Sequence, residues 1–196
     1  TASSRLIVQD GIHDRFVAAL AARVRAMKVG SGTEAGVAIG PLINDAAFVK
    51  LERHVADATA HGAQVVVGGK PDAPGRTFYA PTLLTGVTPD MAMMNEDTFG
   101  PVAGVTRFRD EAEAVQIAND TPFGLAAYLY ARDAARIWRV AEALETGMLG
   151  INTGLISSAE VPFGGVKESG LGREGSHEGI EEWLETKYLC WGGLDA

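Results

Sequence analysis

The alternation of short apolar runs with stretches of amphipathic helical spacing constrains the fold of this chain more than any other feature. The run "RLIVQ", Arg5 to Gln9, is typical of a core strand. From Ile12 to Met27 apolar residues recur at helical spacing, with Asp10 as the predicted N-cap. Strands separated by helices of about 10–16 residues imply βαβ crossovers and a mainly parallel sheet. We therefore predict an α/β fold with flanking helices.

The same two patterns predict the elements that follow. The predicted helices are Asp45 to Ala60, Asp110 (as N-cap) to Ala118, and Asp133 (as N-cap) to Leu144. The predicted strands lie in "AQVVVGG", which we expect to be buried, "APTLLTGV", "PVAGVTRF", "GLAAYLYA" and "GMLGIN". After Gly175, "SHEGIEEWLETKYLCWGG" indicates a short helix and then a strand. Since this last strand has no obvious partner, we expect it to pair with the sheet of another subunit.

Composition limits the partners and the compartment. The 196 residues carry 17 basic and 25 acidic side chains, a net charge of −8, with the acidic residues scattered along the chain. Such a surface repels phosphate backbones, so we expect no nucleic-acid partner. No apolar run approaches the ~20 residues that a membrane helix needs. Cys190 is the only cysteine, and we expect a buried strand cysteine in a reducing, cytoplasmic compartment rather than a nucleophile.

A glycine-rich stretch, "EVPFGGVKESGLGREG", contains a G-x-G-x-x-G pattern at Gly170, Gly172 and Gly175. A dinucleotide fingerprint follows a strand, opens a helix and meets an acidic residue about 20 residues later. Here the preceding residues are polar and interrupted by Pro162, and the acidic position falls at Asp195 in the terminal tail. We therefore predict a loop that lines a binding site rather than one that cradles a phosphate.

The four histidines do not predict a metal site. His54 and His61 share a helix face but lie about two turns apart, and no H-x-x-x-H or C-x-x-C spacing occurs. We expect His13, His54, His61 and His177 to be solvated or to cap helices.

The segment "NEDTFGPV" places two carboxylates, Glu96 and Asp97, just before Phe99. One interpretation is an acidic turn before a strand, and the other is a polar pair with an aromatic wall at the edge of a pocket. Position in a loop at a strand edge slightly favours the pocket, but the pattern leaves both open.

Together these motifs resemble a known family. "NEDTFGPV", "NDTPFGLAAYLY" and "PFGGVKESGLGREG" resemble the aldehyde dehydrogenase superfamily, and "GLISSAEVPFGGVKESGLGREG" with "YLCWGGL" is most similar to its succinate-semialdehyde dehydrogenase branch. The resemblance runs from Arg5 almost to Ala196. It implies a catalytic domain of this family over residues 1–175, and the helix and strand of an oligomerisation region over residues 176–196.

The resemblance also implies a covalent mechanism. A cysteine thiolate attacks the aldehyde, hydride leaves for NAD or NADP, and a glutamate-activated water hydrolyses the thioester. In the family this cysteine lies in G-Q-x-C, five residues before an arginine that matches Arg5, so it would immediately precede Thr1. The catalytic base, the oxyanion asparagine and the dinucleotide-binding domain lie further upstream. We therefore expect a fragment or trimmed numbering, with no catalytic residue in this chain and no turnover by it alone.

Three residues match the cofactor side of the family site. Phe99 matches a phenylalanine that packs at the nicotinamide ribose. Asp97 matches a carboxylate that hydrogen-bonds the ribose hydroxyls and is glutamate in most relatives. Because aspartate is one methylene shorter, the loop moves inward, a water bridges the gap, or Glu96 substitutes.

On the substrate side, Ser157 matches the position at which the succinate-semialdehyde branch presents a hydroxyl to the distal carboxylate, with Ser158 as the alternative. Phe163 matches an aromatic residue of the substrate tunnel. Arg173 resembles an arginine that pairs with a glutamate of the C-terminal segment, here Glu185, and we expect it to be structural.

The resemblance thus implies an enzyme that oxidises succinate semialdehyde, a short ω-carboxy aldehyde, with NAD or NADP and without a metal. We expect a homo-oligomer, dimer or tetramer, joined through the C-terminal strand. The alternatives are a branch acting on glutarate or 2-oxoglutarate semialdehyde, a non-catalytic assembly module, and a nucleotide-binding protein built on Gly170, Gly172 and Gly175.

Overall fold

The computed structural model describes residues 3–72, 75 and 77–193, which fall into two compact units, one ending at Thr121 and one starting at Pro122. The sequence does not predict this division. The boundary expected after Gly175 separates catalytic from oligomerisation segments, and it stays a prediction. Thr1 and Asp195 lie outside the described residues.

The first unit is built on a four-stranded sheet. The strands of this unit are β1 (Arg5–Gln9), β2 (Lys28–Val29), β3 (Val37–Ile39), β4 (Gln64–Val67), β5 (Thr82–Thr85) and β6 (Val102–Phe108). The helices of the unit are α1 (Asp10–Arg25), α2 (Asp45–Ala60), α3 (Ala92–Asn95) and α4 (Glu111–Asn119). The sheet order is β1-β6-β5-β4, with β1, β6 and β5 parallel and β4 antiparallel at the edge. β2 and β3 form a separate parallel pair. The predicted α/β fold with a mainly parallel sheet is confirmed.

Local sequence determines where two of these helices, α2 and α4, begin. The Asn44 side chain accepts a hydrogen bond from the Ala47 amide at 2.9 Å, and Asp110 accepts one from the Glu113 amide at 3.0 Å, so each caps its helix as N-cap residues do. The predicted N-cap role of Asp10 is wrong: the helix already includes Asp10, where its charge favours the positive end of the helix dipole.

The core lies on both faces of the sheet, because neighbouring strand residues point to opposite faces. Leu84 belongs to the cluster under α2 and α3, and its neighbour Leu83 belongs to a second cluster with Val8, Ala21 and Val105. β4 is half exposed. The predicted buried strand is therefore wrong there, since β4 ends the sheet and has a partner on one side only.

The second unit contains a small βαβ crossover. Its strands are β7 (Phe123–Gly124), β8 (Ala126–Leu129), β9 (Met148–Ile151) and β10 (Val166–Lys167), and its helices are α5 (Ala134–Ala143) and a 3-10 helix (Glu178–Trp183). β8 and β9 are parallel, and α5 between them is capped by Asp133, which accepts from the Arg136 amide at 2.7 Å. β7 and β10 form an antiparallel pair.

The C-terminal tail forms no strand within its described part, residues 184–193. Its large apolar side chains are exposed, with Tyr188, Leu189 and Trp191 each more than three-quarters accessible. Cys190 is exposed as well, so the expected buried strand cysteine is wrong for the chain by itself. A strand needs a neighbouring edge to pair with, and the tail has none within the part of the chain that the structure describes. None of the described helices is long and apolar enough to cross a membrane.

Candidate functional site

The segment between α3 and β6, residues 96–101, is called the 96–101 loop. Phe99 has a positive φ of 43°, which is uncommon for a residue with a side chain, and the residue is 72% exposed. Asp97 Oδ1 accepts a hydrogen bond from the Phe99 amide at 3.2 Å, the geometry of an Asx-turn. The turn presents an aromatic face and a carboxylate to the surroundings.

Glu96 is anchored to helix α2. The Arg53 guanidinium donates to both of its carboxylate oxygens, with Nη1 2.9 Å from Oε1, and His54 Nε2 lies 3.2 Å from Oε2. These hydrogen bonds, that of Arg53 first, lower the pKa of Glu96 to about 2. Since both oxygens are already bonded by protein groups, Glu96 is poorly placed to bind a ligand.

Asp97 differs from its neighbour. Its side chain is exposed, and only Oδ1 has a hydrogen bond, the one from the Phe99 amide. Oδ2 has no protein partner among the described residues. The 96–101 loop therefore carries one anchored carboxylate and one that is available to a ligand.

Strand pairing fixes the position of the 96–101 loop relative to the start of the chain. β1 and β6 are parallel, with Arg5 opposite Gly104, and the Ser4 carbonyl accepts from the Gly104 amide at 2.8 Å. The amino ends of the two strands are therefore adjacent. Ser4, which precedes β1, and the 96–101 loop, which precedes β6, therefore lie at the same end of the sheet.

In the second unit, the two predicted serines have different surroundings. Ser158 Oγ is hydrogen-bonded to a Glu160 carboxylate oxygen and also accepts from the Glu160 amide at 3.3 Å. The bond from Ser158 lowers the pKa of Glu160. Ser157 is exposed, and its hydroxyl has no hydrogen-bond partner among the described residues.

The glycine-rich stretch is closed by a backbone bridge. Phe163 and Glu174 exchange two hydrogen bonds of 2.8 Å, and the Arg173 guanidinium donates to the carbonyls of Gly165 at 2.9 Å and Gly172 at 2.7 Å. The predicted pair of Arg173 with Glu185 is therefore wrong for this chain: the guanidinium is held by the glycine carbonyls, while Glu185 lies in the exposed tail.

Around this bridge the second unit has a cavity of about 460 Å³, lined in part by Leu125, Phe163, Arg173 and Trp183. Gly170, with φ +103°, and its neighbours form turns, and no α-helix begins there within the described residues. The absence of such a helix agrees with the prediction that the G-x-G-x-x-G pattern is not a dinucleotide fingerprint.

The histidines divide into two groups. His61 Nδ1 lies 2.8 Å from the Asp57 carbonyl at the end of α2, which raises the pKa of His61, and His177 is exposed. These two agree with the expected capping or solvated roles. His13 and His54 are 2% and 0% exposed, so the expectation is wrong for them. The described residues contain no group of three side chains that could hold a metal ion.

Sequence reasoning did not predict the contacts that hold the 96–101 loop against α2. The residues it missed are Arg53, His54 and Thr98. His54 Nδ1 lies 3.2 Å from Thr98 Oγ1, and both side chains are fully buried. Helical spacing places Arg53 and His54 on α2. No local signal indicates that they meet a loop more than 40 residues further along the chain.

Comparison with known proteins gives concordant matches. The family model described as "Aldehyde dehydrogenase family" matches residues 1–189. A glutarate-semialdehyde dehydrogenase of Pseudomonas aeruginosa is 58% identical over 98% of this chain and 40% of its own length, and a mitochondrial succinate-semialdehyde dehydrogenase of Rattus norvegicus is 58% identical over 98% and 37%. The crystal structure of succinate-semialdehyde dehydrogenase from Burkholderia pseudomallei matches with a TM-score of 0.94 and 59% identity, over 96% of this chain and 39% of that one. The chain thus spans about two-fifths of the length of these relatives.

Proposed function

The chain belongs to the aldehyde dehydrogenase family. On that premise, we propose that it forms part of an enzyme that oxidises succinate semialdehyde to succinate with NAD or NADP. In this reaction NAD or NADP accepts the hydride that leaves the aldehyde carbon, and water supplies the second carboxylate oxygen. The residues described above bind and orient the two substrates. The nucleophile and base belong, by the resemblance, to residues that precede Thr1.

The observation that carries the cofactor assignment is the contrast between Glu96 and Asp97. An ionised carboxylate with a free oxygen is a strong acceptor for paired ribose hydroxyls. Asp97 has such an oxygen, while both oxygens of Glu96 are bonded to α2. The exposed ring of Phe99 supplies an apolar face two residues further on. We therefore assign ribose binding to Asp97 rather than Glu96.

The parallel pairing of β1 and β6 supports the same assignment. By the resemblance, the nucleophilic cysteine lies five residues before Arg5, at which β1 begins, and the 96–101 loop lies just before β6. Because the amino ends of these strands are adjacent, a nucleophile at that position would lie at the sheet edge that carries Asp97 and Phe99. Hydride transfer needs such proximity between the aldehyde carbon and the nicotinamide.

For the aldehyde, we assign the distal carboxylate to Ser157. A hydroxyl that has no protein partner can donate to a substrate carboxylate, whereas the Ser158 hydroxyl is bonded to Glu160. Phe163 keeps its proposed role in the substrate tunnel, where it is half-buried and fixed by its backbone bridge to Glu174.

A second candidate substrate is glutarate semialdehyde, which is one methylene longer. It is favoured by the Pseudomonas aeruginosa relative, whose identity of 58% equals that of the Rattus norvegicus succinate-semialdehyde dehydrogenase. One methylene in an apolar pocket changes binding by only about 1–3 kcal/mol. Both substrates have the ω-carboxylate that Ser157 would bind. 2-Oxoglutarate semialdehyde belongs to the same chemical class.

We propose a homo-oligomer in which a second copy covers the tail, residues 184–193. The exposed run around Tyr188, Leu189 and Trp191 is more apolar than a solvated segment needs to be. Beyond Leu184, the described part of the tail pairs with no strand, and such a backbone is suited to strand addition at another sheet edge. By this proposal, the tail joins the subunits of the oligomer whether or not the chain also takes part in catalysis. A cytoplasmic location stays a prediction.

The test uses a complete dehydrogenase that contains residues 1–196, made where necessary by substituting them for the matched segment of the Pseudomonas aeruginosa relative; we name it the test enzyme. We expect Ser157→Ala to raise KM for succinate semialdehyde about tenfold, since a hydrogen bond to a charged group contributes about 1.5–3 kcal/mol. KM for an uncharged aldehyde of similar length should barely change. Ser158→Ala is the matched control and should leave both values nearly unchanged.

Equal increases of KM for the charged and the uncharged aldehyde would contradict the role of Ser157. A panel of succinate, glutarate and 2-oxoglutarate semialdehydes, compared by kcat/KM with NAD and with NADP, decides among the substrates. No turnover of any of the three by the test enzyme would contradict the proposed function.

A further inference from the structure

We propose that Arg53 and His54 of helix α2 are positioning residues for the cofactor, because they fix the conformation in which the 96–101 loop presents Asp97 and Phe99. This inference rests on the proposed function, which assigns those two residues to the nicotinamide ribose. Arg53 and His54 would act through Glu96 and Thr98 without touching the cofactor.

The first step is the alternation of side chains along the loop. Glu96 has extended backbone angles, φ −119° and ψ 149°, so side chains around it point alternately to opposite sides. Glu96 and Thr98 are both bonded to α2. Asp97, between them, is therefore directed away from α2. Anchoring the two flanking side chains determines which carboxylate is presented.

The second step is the hydrogen-bond arrangement of His54, which is 0% exposed. A carboxylate can only accept, so the ring proton that meets Glu96 belongs to Nε2. The other ring nitrogen, Nδ1, lies 3.2 Å from Thr98 Oγ1, a hydroxyl that can either donate or accept. Both ring nitrogens are then satisfied by the loop, and a buried side chain that loses either partner leaves an unpaired polar group.

The third step is the backbone of Phe99. Its φ of 43° lies in the left-handed region, which is unfavourable for a residue with a side chain. Such a conformation persists only where its neighbours hold it. On one side Thr98 is buried against His54, and on the other Gly100 lies so close to Leu51 that a Cβ would come within 2.7 Å of Leu51 Cδ2. The turn that presents the ring is thus held from α2 at both ends.

The test compares two buried histidines of the first unit. His13 is 2% exposed, with Nδ1 2.9 Å from an Asp14 oxygen and Nε2 3.3 Å from Thr85 Oγ1, so it has the same kinds of partner as His54 and no bond to the loop. In the test enzyme we expect His54→Ala to raise KM for NAD(P) and Kd for NAD(P)H about tenfold. KM for the aldehyde should stay within about twofold of its original value. His13→Ala should change neither affinity.

Isosteric variants keep the test decisive if an alanine variant fails to fold. Thr98→Val and Thr85→Val each remove one hydroxyl bonded to a buried histidine and preserve the shape of the side chain. We expect only Thr98→Val to weaken cofactor binding, by about three- to tenfold, and Thr98→Ser to retain it.

Asp97→Ala distinguishes failure of this inference from failure of the proposed function. If Asp97→Ala weakens cofactor binding while His54→Ala and Thr98→Val do not, the positioning role is overturned and the ribose assignment stands. If Asp97→Ala leaves cofactor affinity unchanged, the ribose assignment itself falls, and the positioning role with it. His54→Ala could instead weaken cofactor and aldehyde binding equally, with His13→Ala causing the same losses. That result would show that His54 has only a structural role.

Discussion

Two clusters built from the same kinds of side chain lie in the first unit, and only one of them supports a candidate functional loop. Each cluster contains an arginine, a buried histidine, a carboxylate and a threonine. The cluster on α2 comprises Arg53, His54, Glu96 and Thr98, and the cluster on α1 comprises Arg107, His13, Asp14 and Thr85. In both, the histidine bridges the carboxylate and the hydroxyl.

The difference lies in what each histidine holds. Thr85 ends strand β5, and Asp14 belongs to the same helix as His13, so both partners are already fixed by regular structure. Glu96 and Thr98 belong to a segment outside any strand, and their side-chain bonds to α2 attach it to the rest of the fold. The same set of polar groups therefore reinforces a framework in one place and shapes a loop in the other.

The largest effect we expect comes from the apolar residues beside each cluster. Leu51 packs under the 96–101 loop and Leu83 lies in the core on the α1 face, and both are fully buried. Leu51→Ala and Leu83→Ala should each destabilise the fold by about 2–5 kcal/mol, measured by urea denaturation of the test enzyme. Only Leu51→Ala should also raise Kd for NAD(P)H, because only it removes support from Gly100. A similar rise of Kd for NAD(P)H in both variants would contradict the claim that only the cluster on α2 supports the cofactor loop.

Acid titration should give a smaller effect. The Arg53 and His54 bonds lower the pKa of Glu96 from 4.5 to about 2, and those of His13 and Arg107 lower the pKa of Asp14. A carboxylate whose pKa is lower in the folded state stabilises the fold above its unfolded pKa, and this stabilisation is lost as the pH falls through the folded pKa. For Glu96 the window is therefore between about pH 4.5 and 2.

The matched variants are Glu96→Gln and Asp14→Asn. Each should lower the thermal midpoint of the test enzyme slightly and by a constant amount between pH 5 and 8, since both carboxylates are in contact with water. The difference between the test enzyme and Glu96→Gln should shrink below pH 4.5. Only Glu96→Gln should weaken NAD(P)H binding at pH 7. A difference that persists unchanged to pH 2 would contradict the lowered pKa of Glu96.

Much of the fold could be predicted from sequence because its determinants are local. Asp110 and Asp133 cap helices through amides three residues away, and helical spacing predicted Asp45–Ala60 with its bounds. The exposure of β4 could not be predicted, because an apolar run does not indicate whether its strand ends the sheet. The burial of His13 could not be predicted either, because its partner Thr85 lies 72 residues away in the chain.

The candidate site was predictable in part. The motif "NEDTFGPV" predicted the loop to which we assign the cofactor, and that assignment stays a proposal. Sequence alone left open whether Glu96 or Asp97 is available to a ligand. That depends on the docking of α2, which brings Arg53 and His54 to Glu96 across more than 40 residues. The tail around Cys190 shows the same limit, since its predicted strand needs a partner that the described residues do not supply.

A double-mutant cycle tests the central claim most directly: that His54 serves the cofactor through Asp97. Kd for NAD(P)H is measured for the test enzyme, for His54→Ala, for Asp97→Ala and for the double variant. We predict that His54→Ala weakens binding much less once Asp97 is alanine, with a coupling free energy of at least about 0.5 kcal/mol. The matched cycle of His13→Ala with Asp97→Ala should be additive. Additive effects of His54→Ala and Asp97→Ala would contradict the claim.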